Sequence, residues 1–432
     1  MNYQSLKGFR DILPSESVNW RRVELAIHDL ARRYGYGEVR LPIVESTDLF
    51  RRGVGEGTDI VGKEMYSFLD RSDPPESLTL RPELTAGAAR AFIEHEIAKT
   101  HPVTRWYYVG PMFRYEQPQA GRYRQFFQFG LELFGPAAPE ADAEVIVAGL
   151  DLLRLLGITN YRLRINSIGS NQERADYRVV LLDFLRNRAD SLSDDSRRRM
   201  EGNPLRVLDS KRPEDVAATV DAPRILDFLG QESRAHFERT LDLLKGAGAD
   251  PTVDHRLVRG LDYYSRTAFE YQGLDLGAQD ALGGGGRYDT LIEMLGGDPT
   301  PAVGLSFGME RLLMAMEHAG LLPEEAPSTD VFLVALDDDA RSWAFSVARS
   351  LRSIGMTVGL DPLGRSMKGQ MREANRRGAA LVVIAGSHEL ASRAAQVKRM
   401  ADGQQRSVPF DDLESTVQEL LESGERMDAG GS

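Results

Sequence analysis

One stretch limits what this chain can fold into more than any other: residues 105–135, RWYYVGPMFRYEQPQAGRYRQFFQFGLELFG. Its first half, Trp106 to Glu116, is rich in aromatic residues and reads as a strand, as does its second half, Tyr123 to Phe134. Gln117-Pro118-Gln119-Ala120-Gly121 between them is turn-like, so the pair predicts a long antiparallel hairpin. Side chains alternate faces along a strand, which puts Gln128, Gly130 and Glu132 on one face and groups Arg114 with Glu116. A sheet face carrying Arg114, Glu116, Arg122, Arg124, Gln128 and Glu132 must be satisfied by water or by a ligand. The hairpin alone leaves both open.

The 432 residues suggest two to three domains. A formal net charge of -12 argues against a general nucleic-acid coat, though not against a local basic RNA site. The chain has no cysteine, which excludes disulfides, thiolate metal sites and thiol nucleophiles. Met1 to Trp20 carries Lys7, Arg10 and Asp11 and does not read as a signal peptide, and no apolar run is long enough to span a bilayer. The expectation is a soluble, cytoplasmic protein.

Trp20 to Tyr34 has helical apolar spacing and stops before Gly35. Glu38 to Val44 reads as a strand at an edge or interface, because Pro42 within it lacks a backbone donor. Phe50 to Met65 holds Gly53, Gly55 and Gly57 and reads as a flexible loop or an active-site loop. Gly57 to Lys63 spells GxxxxGK, but Glu64 stands where a phosphate-binding loop needs a hydroxyl, so that motif is rejected. Leu78 to Leu80 leads through Arg81-Pro82-Glu83-Leu84-Thr85 into a helix over Ala86 to Ile97. Glu83 and Thr85 at its start suit helix capping, and equally suit holding an ammonium group. Ala141 to Leu156 reads as an apolar helix and Tyr161 to Asn166 as a strand, followed by a charge-dense helical stretch with Arg197-Arg198-Arg199. Any one arginine there suits a solvated face.

A second cluster begins at His255 with HRLVRGLDYYSRTAFEY and continues through Ala281-Leu282-Gly283-Gly284-Gly285-Gly286-Arg287-Tyr288-Asp289. Consecutive glycines weaken a strand and are tolerated in a loose hairpin or where backbone must approach a ligand closely. Pro301 to Leu313 reads strand-to-helix. Arg311 sits in the first helical turn, against the preference of a cation for the last, which hints at an anion.

Together these residues resemble the class II aminoacyl-tRNA synthetases, and the histidyl-tRNA synthetase family in particular, over nearly the whole chain. The segment from Glu38 to Glu45, with Pro42, is similar to the family's dimer-forming motif 1. Phe113-Arg114-Tyr115-Glu116 resembles motif 2 and Gly308-Met309-Glu310-Arg311 motif 3. Leu257-Val258-Arg259-Gly260-Leu261-Asp262-Tyr263-Tyr264 and Gly285-Gly286-Arg287-Tyr288-Asp289 look like the two histidine-specific signatures.

The resemblance implies activation of L-histidine with ATP to histidyl-adenylate, then transfer to the 3′ end of tRNA(His), by a homodimer with Mg²⁺ as the companion of ATP. It implies Arg114 on the α-phosphate, Glu116 on the adenine amino group, Phe126 stacked on the ring, and Arg122 and Arg311 on the outer phosphates. Glu83, Thr85 and Gln128 would surround the ammonium and carboxylate of histidine. Glu132 and Tyr264 would bracket the imidazole, with Tyr263 beside it. Arg259 and Arg114 would be catalytic, Arg259 reaching both the histidine carboxylate and the α-phosphate. Gln117 departs from the arginine expected in many bacterial members, which leaves acceptor-end recognition in doubt.

The fold expected is α/β: an antiparallel class II catalytic domain over 1–169 and 252–325, a helical insertion over 170–251, and a small mixed α/β anticodon-binding-like domain over 330–425. Glu324 to Thr329 reads as a linker and Met427 to Ser432 as a tail. Within the last domain, strands at Asp330 to Leu336, Thr357 to Leu360 and Ala380 to Ala385 alternate with helices, which predicts a largely parallel sheet. Arg365, Lys368, Arg372, Arg376 and Arg377 cluster with few acids nearby, as a solvated face or an RNA contact. One rival reading is the regulatory paralogue that partners ATP phosphoribosyltransferase. Another is a different class II synthetase.

Overall fold

The computed structural model describes residues 3–55, 58, 60–118, 121–261, 263–277, 280–322 and 329–428. The chain divides into two compact units, Met1–Leu322 and Pro323–Ser432.

The first unit is built on an eight-stranded sheet. Its spatial order is Gly37–Glu38, Thr104–Phe113, Gln125–Phe134, Ala302–Gly308, Ala281–Arg287, Ser265–Gly273, Tyr161–Ser167 and Thr252–Val253. The six inner strands pair antiparallel, and the two outermost add on in parallel. One face is covered by the helices Pro14–Tyr34, Pro139–Leu155 and Met309–His318. The alternate side chains Phe129, Leu131, Leu133, Ile165, Phe269, Val303, Leu305 and Phe307 point into that core and are almost fully buried. Each is worth roughly 1.5–3 kcal/mol of apolar transfer, so this face holds the sheet and leaves the other for chemistry.

The hairpin forms as Thr104–Phe113 and Gln125–Phe134. Arg114 and Glu116 therefore lie just past the ladder, with Gln119 and Ala120 of the turn outside the described residues. The Glu38 to Val44 strand does not form as one piece: only Gly37–Glu38 and, in a separate three-stranded sheet, Val44–Ser46 are strands. Pro42 removes a ladder donor, and the buried Arg81 takes the carbonyls of Leu41 and Pro42 through Nη1 at 2.7 and 3.0 Å. Phe50 to Met65 is more ordered than the loop expected from its glycines. It takes in the end of the helix Thr47–Val54, which buries Phe50 and Val54, and the π-helical turn Ile60–Glu64, with Gly57 outside the described residues.

Between Tyr161–Ser167 and Thr252–Val253 the chain is helical, with Asn171–Arg186 and Gln231–Gly246 the longest elements. Arg197, Arg198 and Arg199 each pair with an acid one turn back, Asp194 or Asp195.

The second unit is a five-stranded sheet in the order Val358–Leu360, Thr329–Ala335, Ala379–Ala385, Ala394–Arg399 and Gln405–Pro409. The first three strands are parallel and the last two antiparallel, so the sheet is mixed where the sequence suggested a largely parallel one. Val331 and Leu333 bury against the Asp338–Ser353 helix side, Phe332 and Val334 against Ala374 of Met367–Arg376. Asp337 caps Asp338–Ser353 by accepting Ala340 N at 2.9 Å.

Candidate active site

The register of the large sheet lays out its open face. One rung runs Trp106, Glu132, Gly304, Gly286, Ala268 and Asn166; the next runs Tyr108, Gly130, Ser306, Gly284, Glu270 and Arg164. Small residues thus form the middle of the floor, with carboxylates and aromatics around them. Two of the four consecutive glycines, Gly284 and Gly286, are explained here. A Cβ on Gly284 would stand 2.8 Å from Arg259 Nη1, and one on Gly286 would stand 2.8 Å from the Tyr264 ring. They let these two side chains lie flat on the sheet.

Above this floor lies a cavity of about 440 Å³ lined by Glu83, Thr85, Tyr108, Gln128, Arg259, Tyr263, Tyr264, Tyr288 and Gly304. Glu83 is buried at the start of the helix Thr85–Glu94, and its carboxylate accepts Thr85 N at 2.7 Å and Ala86 N at 2.9 Å. It therefore caps that helix and also presents a carboxylate to the cavity. Burial raises its pKa against those two backbone donors.

Glu132 is 1% exposed and belongs to the floor itself, on the rung with Gly304 and Gly286. Its Oε1 accepts the hydroxyls of Thr85 and Tyr108, both at 2.7 Å, and its Oε2 accepts the hydroxyl of Tyr288. Burial pushes its pKa up to about 7, opposed by the three hydroxyl donors. Its partners are hydroxyls rather than an arginine of the hairpin. The tyrosines form one aromatic group: the Tyr263 ring lies 4.7 Å from that of Tyr264 and 5.5 Å from that of Tyr288. Tyr288 is aimed by its neighbour. Arg287 is fully buried on the core side, where its Nε donates to Asp142 Oδ1 at 2.9 Å and its Nη1 donates to Asp289 Oδ1 at 2.9 Å.

A second cavity of about 290 Å³ adjoins the first and shares Arg114, Glu116, Arg122, Gln128, Arg259 and Ser306 with it. It adds Phe126, Glu270 and Arg311. Arg114 donates through Nε to Pro82 O at 2.8 Å and sits 5.3 Å above the Phe126 ring. Arg122 Nε is 2.6 Å from Glu116 Oε2. Arg311 donates through Nη1 to Ala281 O at 2.6 Å, and burial with the neighbouring Arg122 lowers its pKa. Arg259 Nη1 lies 3.4 Å from Glu270 Oε2, while its buried Nε has no hydrogen-bond partner. A guanidinium held this loosely at the wall between two cavities can bridge oxygens from both sides.

Eleven of the twelve sequence-selected residues line these two cavities, and Glu132 lies beneath the first. Asp262 of the first signature is outside the described residues. Tyr108 and Tyr288 were missed as partners of Glu132. Strand alternation could have found Tyr108, because the hairpin register sets it opposite Gly130 on the Glu132 face. The helical stretch also reaches this site: Asp195, Arg199, Arg206 and Asp209 line the larger cavity, and Arg206 Nη2 donates to Gly260 O at 3.1 Å beside Arg259. A periodicity argument had no means of placing them.

Comparison with known proteins agrees with this geometry. A family model described as Histidyl-tRNA synthetase matches residues 8–178 and 185–312, and one described as Anticodon binding domain matches 330–420. The chain is 48% identical over 421 residues to the histidine–tRNA ligase of Chloroherpeton thalassium, covering 97% of this chain and 98% of that one. It is 47% identical to that of Chlorobium phaeovibrioides, covering 98% and 99%. The crystal structure of apo S. aureus histidyl-tRNA synthetase superposes with a TM-score of 0.81 at 36% identity, covering 97% of this chain and 100% of that one. An ATP phosphoribosyltransferase regulatory subunit/histidyl-tRNA synthetase from Bacillus halodurans shares the fold at 24% identity and a TM-score of 0.66. The chain belongs to the histidyl-tRNA synthetase family.

Proposed function

We propose that this chain is a histidine–tRNA ligase whose two adjoining cavities hold histidine and ATP on either side of Arg259. It condenses L-histidine with ATP to histidyl-adenylate and pyrophosphate, and then transfers the histidyl group to the 3′ end of tRNA(His). The observation that carries the assignment of roles is the common wall. Arg259 and Gln128 line both the carboxylate- and tyrosine-rich cavity and the arginine-rich one.

In the first cavity, Glu83, Thr85 and Gln128 take the ammonium and carboxylate of histidine, and Glu132 with Tyr263 and Tyr264 takes the imidazole. In the second, Arg114 holds the α-phosphate, Arg122 and Arg311 the outer phosphates, Glu116 the adenine amino group, and Phe126 the ring. The histidine carboxylate oxygen attacks the α-phosphorus in line with the departing pyrophosphate. Arg259 and Arg114 stabilise the charge that builds on the phosphoryl oxygens, and no covalent enzyme intermediate is required. Glu116 holds Arg122 at 2.6 Å, so adenine binding exchanges that pairing for its own hydrogen bond.

Among the described residues no group of three carboxylates or histidines is placed to hold a metal ion, while Glu270 lines the arginine-rich cavity. That carboxylate fits Mg²⁺ arriving with the triphosphate, held mainly by the phosphates, where it would neutralise phosphate charge.

We further assign residues 1–169 and 252–325 to the catalytic body, 170–251 to an inserted helical module, and 330–425 to tRNA contact. The homodimer would form through the segment around Pro42, where Ile43 and Val44 are exposed. No helix among the described residues is long and apolar enough to cross a membrane, and the cytoplasm is the compartment where the tRNA substrate would be met. The regulatory-paralogue reading is not favoured, because the relatives at 45–48% identity are histidine–tRNA ligases covered nearly end to end. ATP–pyrophosphate exchange with each of the twenty amino acids tests the assignment. Histidine alone should drive exchange, and exchange driven equally by another amino acid would overturn it.

A further inference from the structure

Glu132 is held in a way that the proposed histidine site does not by itself require. An ionised carboxylate has about four acceptor positions. Three are occupied, two on Oε1 by Thr85 and Tyr108 and one on Oε2 by Tyr288. The donors come from three separated parts of the chain, a helix start, a hairpin strand and the end of the glycine strand, so their convergence is a built feature. Two glycines make room for it. A Cβ on Gly130 would meet the Tyr108 hydroxyl at 2.5 Å. A Cβ on Gly304, directly across the ladder from Glu132, would meet Glu132 Oε2 at 2.1 Å. Gly304 also lines the larger cavity. Glu132 Oε2 thus fills the space that a side chain at 304 would take, which brings the oxygen with an acceptor position to spare against a residue that lines the cavity.

We propose that Tyr108, Tyr288 and Thr85 form a hydroxyl collar that leaves Glu132 a single acceptor position, beside Gly304 at the cavity floor, and that this position sets specificity for a ligand ring offering one N–H. This deepens the histidine assignment and rests on it. Tyr108 and Tyr288 are positioning residues in this scheme: they act through Glu132, fixing its rotamer and occupying its other lone pairs. A neutral imidazole presents one donor and one acceptor nitrogen and satisfies the remaining position. An amide or ammonium group brings further donors that a filled collar cannot accept, and an apolar ring leaves the carboxylate short of a partner. The charge environment supports the same role. Burial and the like charge of Glu83 raise the pKa of Glu132, and the three collar hydroxyls oppose that rise.

Tyr288→Phe and Gly304→Ala, with Glu132→Ala as the reference, test the inference by pyrophosphate exchange. Tyr288→Phe keeps the ring and removes one charged-acceptor hydrogen bond. It should raise the histidine KM roughly ten- to hundredfold while changing the ATP KM less than about twofold. It should also move the acid limb of the histidine KM–pH profile to higher pH, because losing a donor to the carboxylate favours its protonated form. Gly304→Ala should give the same split, more severely, because its Cβ would displace the Glu132 carboxylate. If Gly304→Ala does not fold, Tyr288→Phe decides alone. Histidine KM and pH profile both unchanged in a folded Tyr288→Phe would overturn the collar. If Glu132→Ala damages histidine use in the same assay, the histidine assignment stands and only the collar falls. If Glu132→Ala leaves histidine use intact, the histidine assignment itself fails and the collar with it.

Discussion

The two arginine clusters of this molecule differ in what their donors meet. In the arginine-rich cavity, Arg114 and Arg311 donate to backbone carbonyls, and Arg259 has a long contact to Glu270 and lies 5.7 Å from the Tyr264 ring centroid. In the C-terminal unit, Arg365, Arg376 and Arg377 converge on the single carboxylate of Glu373, with Arg365 at 3.0 Å and Arg377 at 2.8 Å. The guanidiniums of Arg376, Arg377 and Arg365 hold the Glu373 carboxyl far below the usual carboxylate range. A carbonyl orients a guanidinium without cancelling its charge, whereas a carboxylate does both. Those carbonyls preorganise the first cluster for an anion, although Arg122 pairs with Glu116 at 2.6 Å and Arg114 lies 4.0 Å from the same carboxylate. The second must share its cations between Glu373 and anything that docks. In the sequence the first is scattered over three separate segments, whereas the second is one local cluster that reads as having few acids nearby, although Glu373 lies in the middle of it.

The sharpest way to break this contrast is at Arg259. If its loosely partnered guanidinium stabilises the adenylation transition state, Arg259→Ala should cost about 3–4 kcal/mol in that barrier, a loss of two to three orders of magnitude in single-turnover adenylation. ATP affinity should fall much less, because Arg114, Arg122 and Arg311 remain. Near-normal exchange in the mutant would remove Arg259 from the chemistry.

A smaller effect is expected in the C-terminal unit. Replacing Arg372, Arg376 and Arg377 by alanine should weaken tRNA binding and flatten its salt dependence, by up to roughly one unit for each phosphate left without its cation. Adenylation in the absence of tRNA should be unchanged. Because Arg376 and Arg377 are shared with Glu373, the drop in slope should fall short of three units. Glu373→Gln should move the other way, tightening tRNA binding severalfold and steepening its salt dependence. If both variants bind tRNA as the parent does at every salt concentration, the cluster is a solvated face and the contrast reduces to one functional cluster.

Local pattern carried much of this molecule and long-range geometry carried the rest. Alternation in residues 105–135 announced the hairpin and put Gln128 and Glu132 on one face, as the ladder confirms. The four glycines pointed to close backbone approach, and the approaching groups turned out to be Arg259 and Tyr264 of the chain itself. Sequence spacing could not show that Tyr288, 156 positions away, would close on Glu132. Arg81 looked like part of a helix lead-in, yet its burial against three carbonyls decides where the preceding strand breaks. The antiparallel strands Ala394–Arg399 and Gln405–Pro409 went unread because each is short and carries a single β-branched residue, Val397 or Val408.

The same buried Glu132 that would select a ligand should leave a pH signature in the stability of the empty protein. Its folded-state pKa is raised from 4.5 to about 7, chiefly by burial. The folded form thus binds the proton more tightly than the unfolded chain does. The linked stability is complete below pH ~4.5, declines as pH rises through the interval, and is lost above pH ~7. Glu132→Gln is neutral throughout and lacks this dependence. The melting temperature of the catalytic unit in Glu132→Gln should therefore gain on the parent between pH 5 and 7.5, by about 2–4 °C for each kcal/mol involved. Saturating histidine should narrow the gap at pH 7.5, because the ionised carboxylate then has a ring N–H to hold. A constant difference across that range would mean that Glu132 is ionised at all these pH values. The collar hydroxyls would then outweigh its burial, and Tyr288→Phe would be the variant in which the slope first appears.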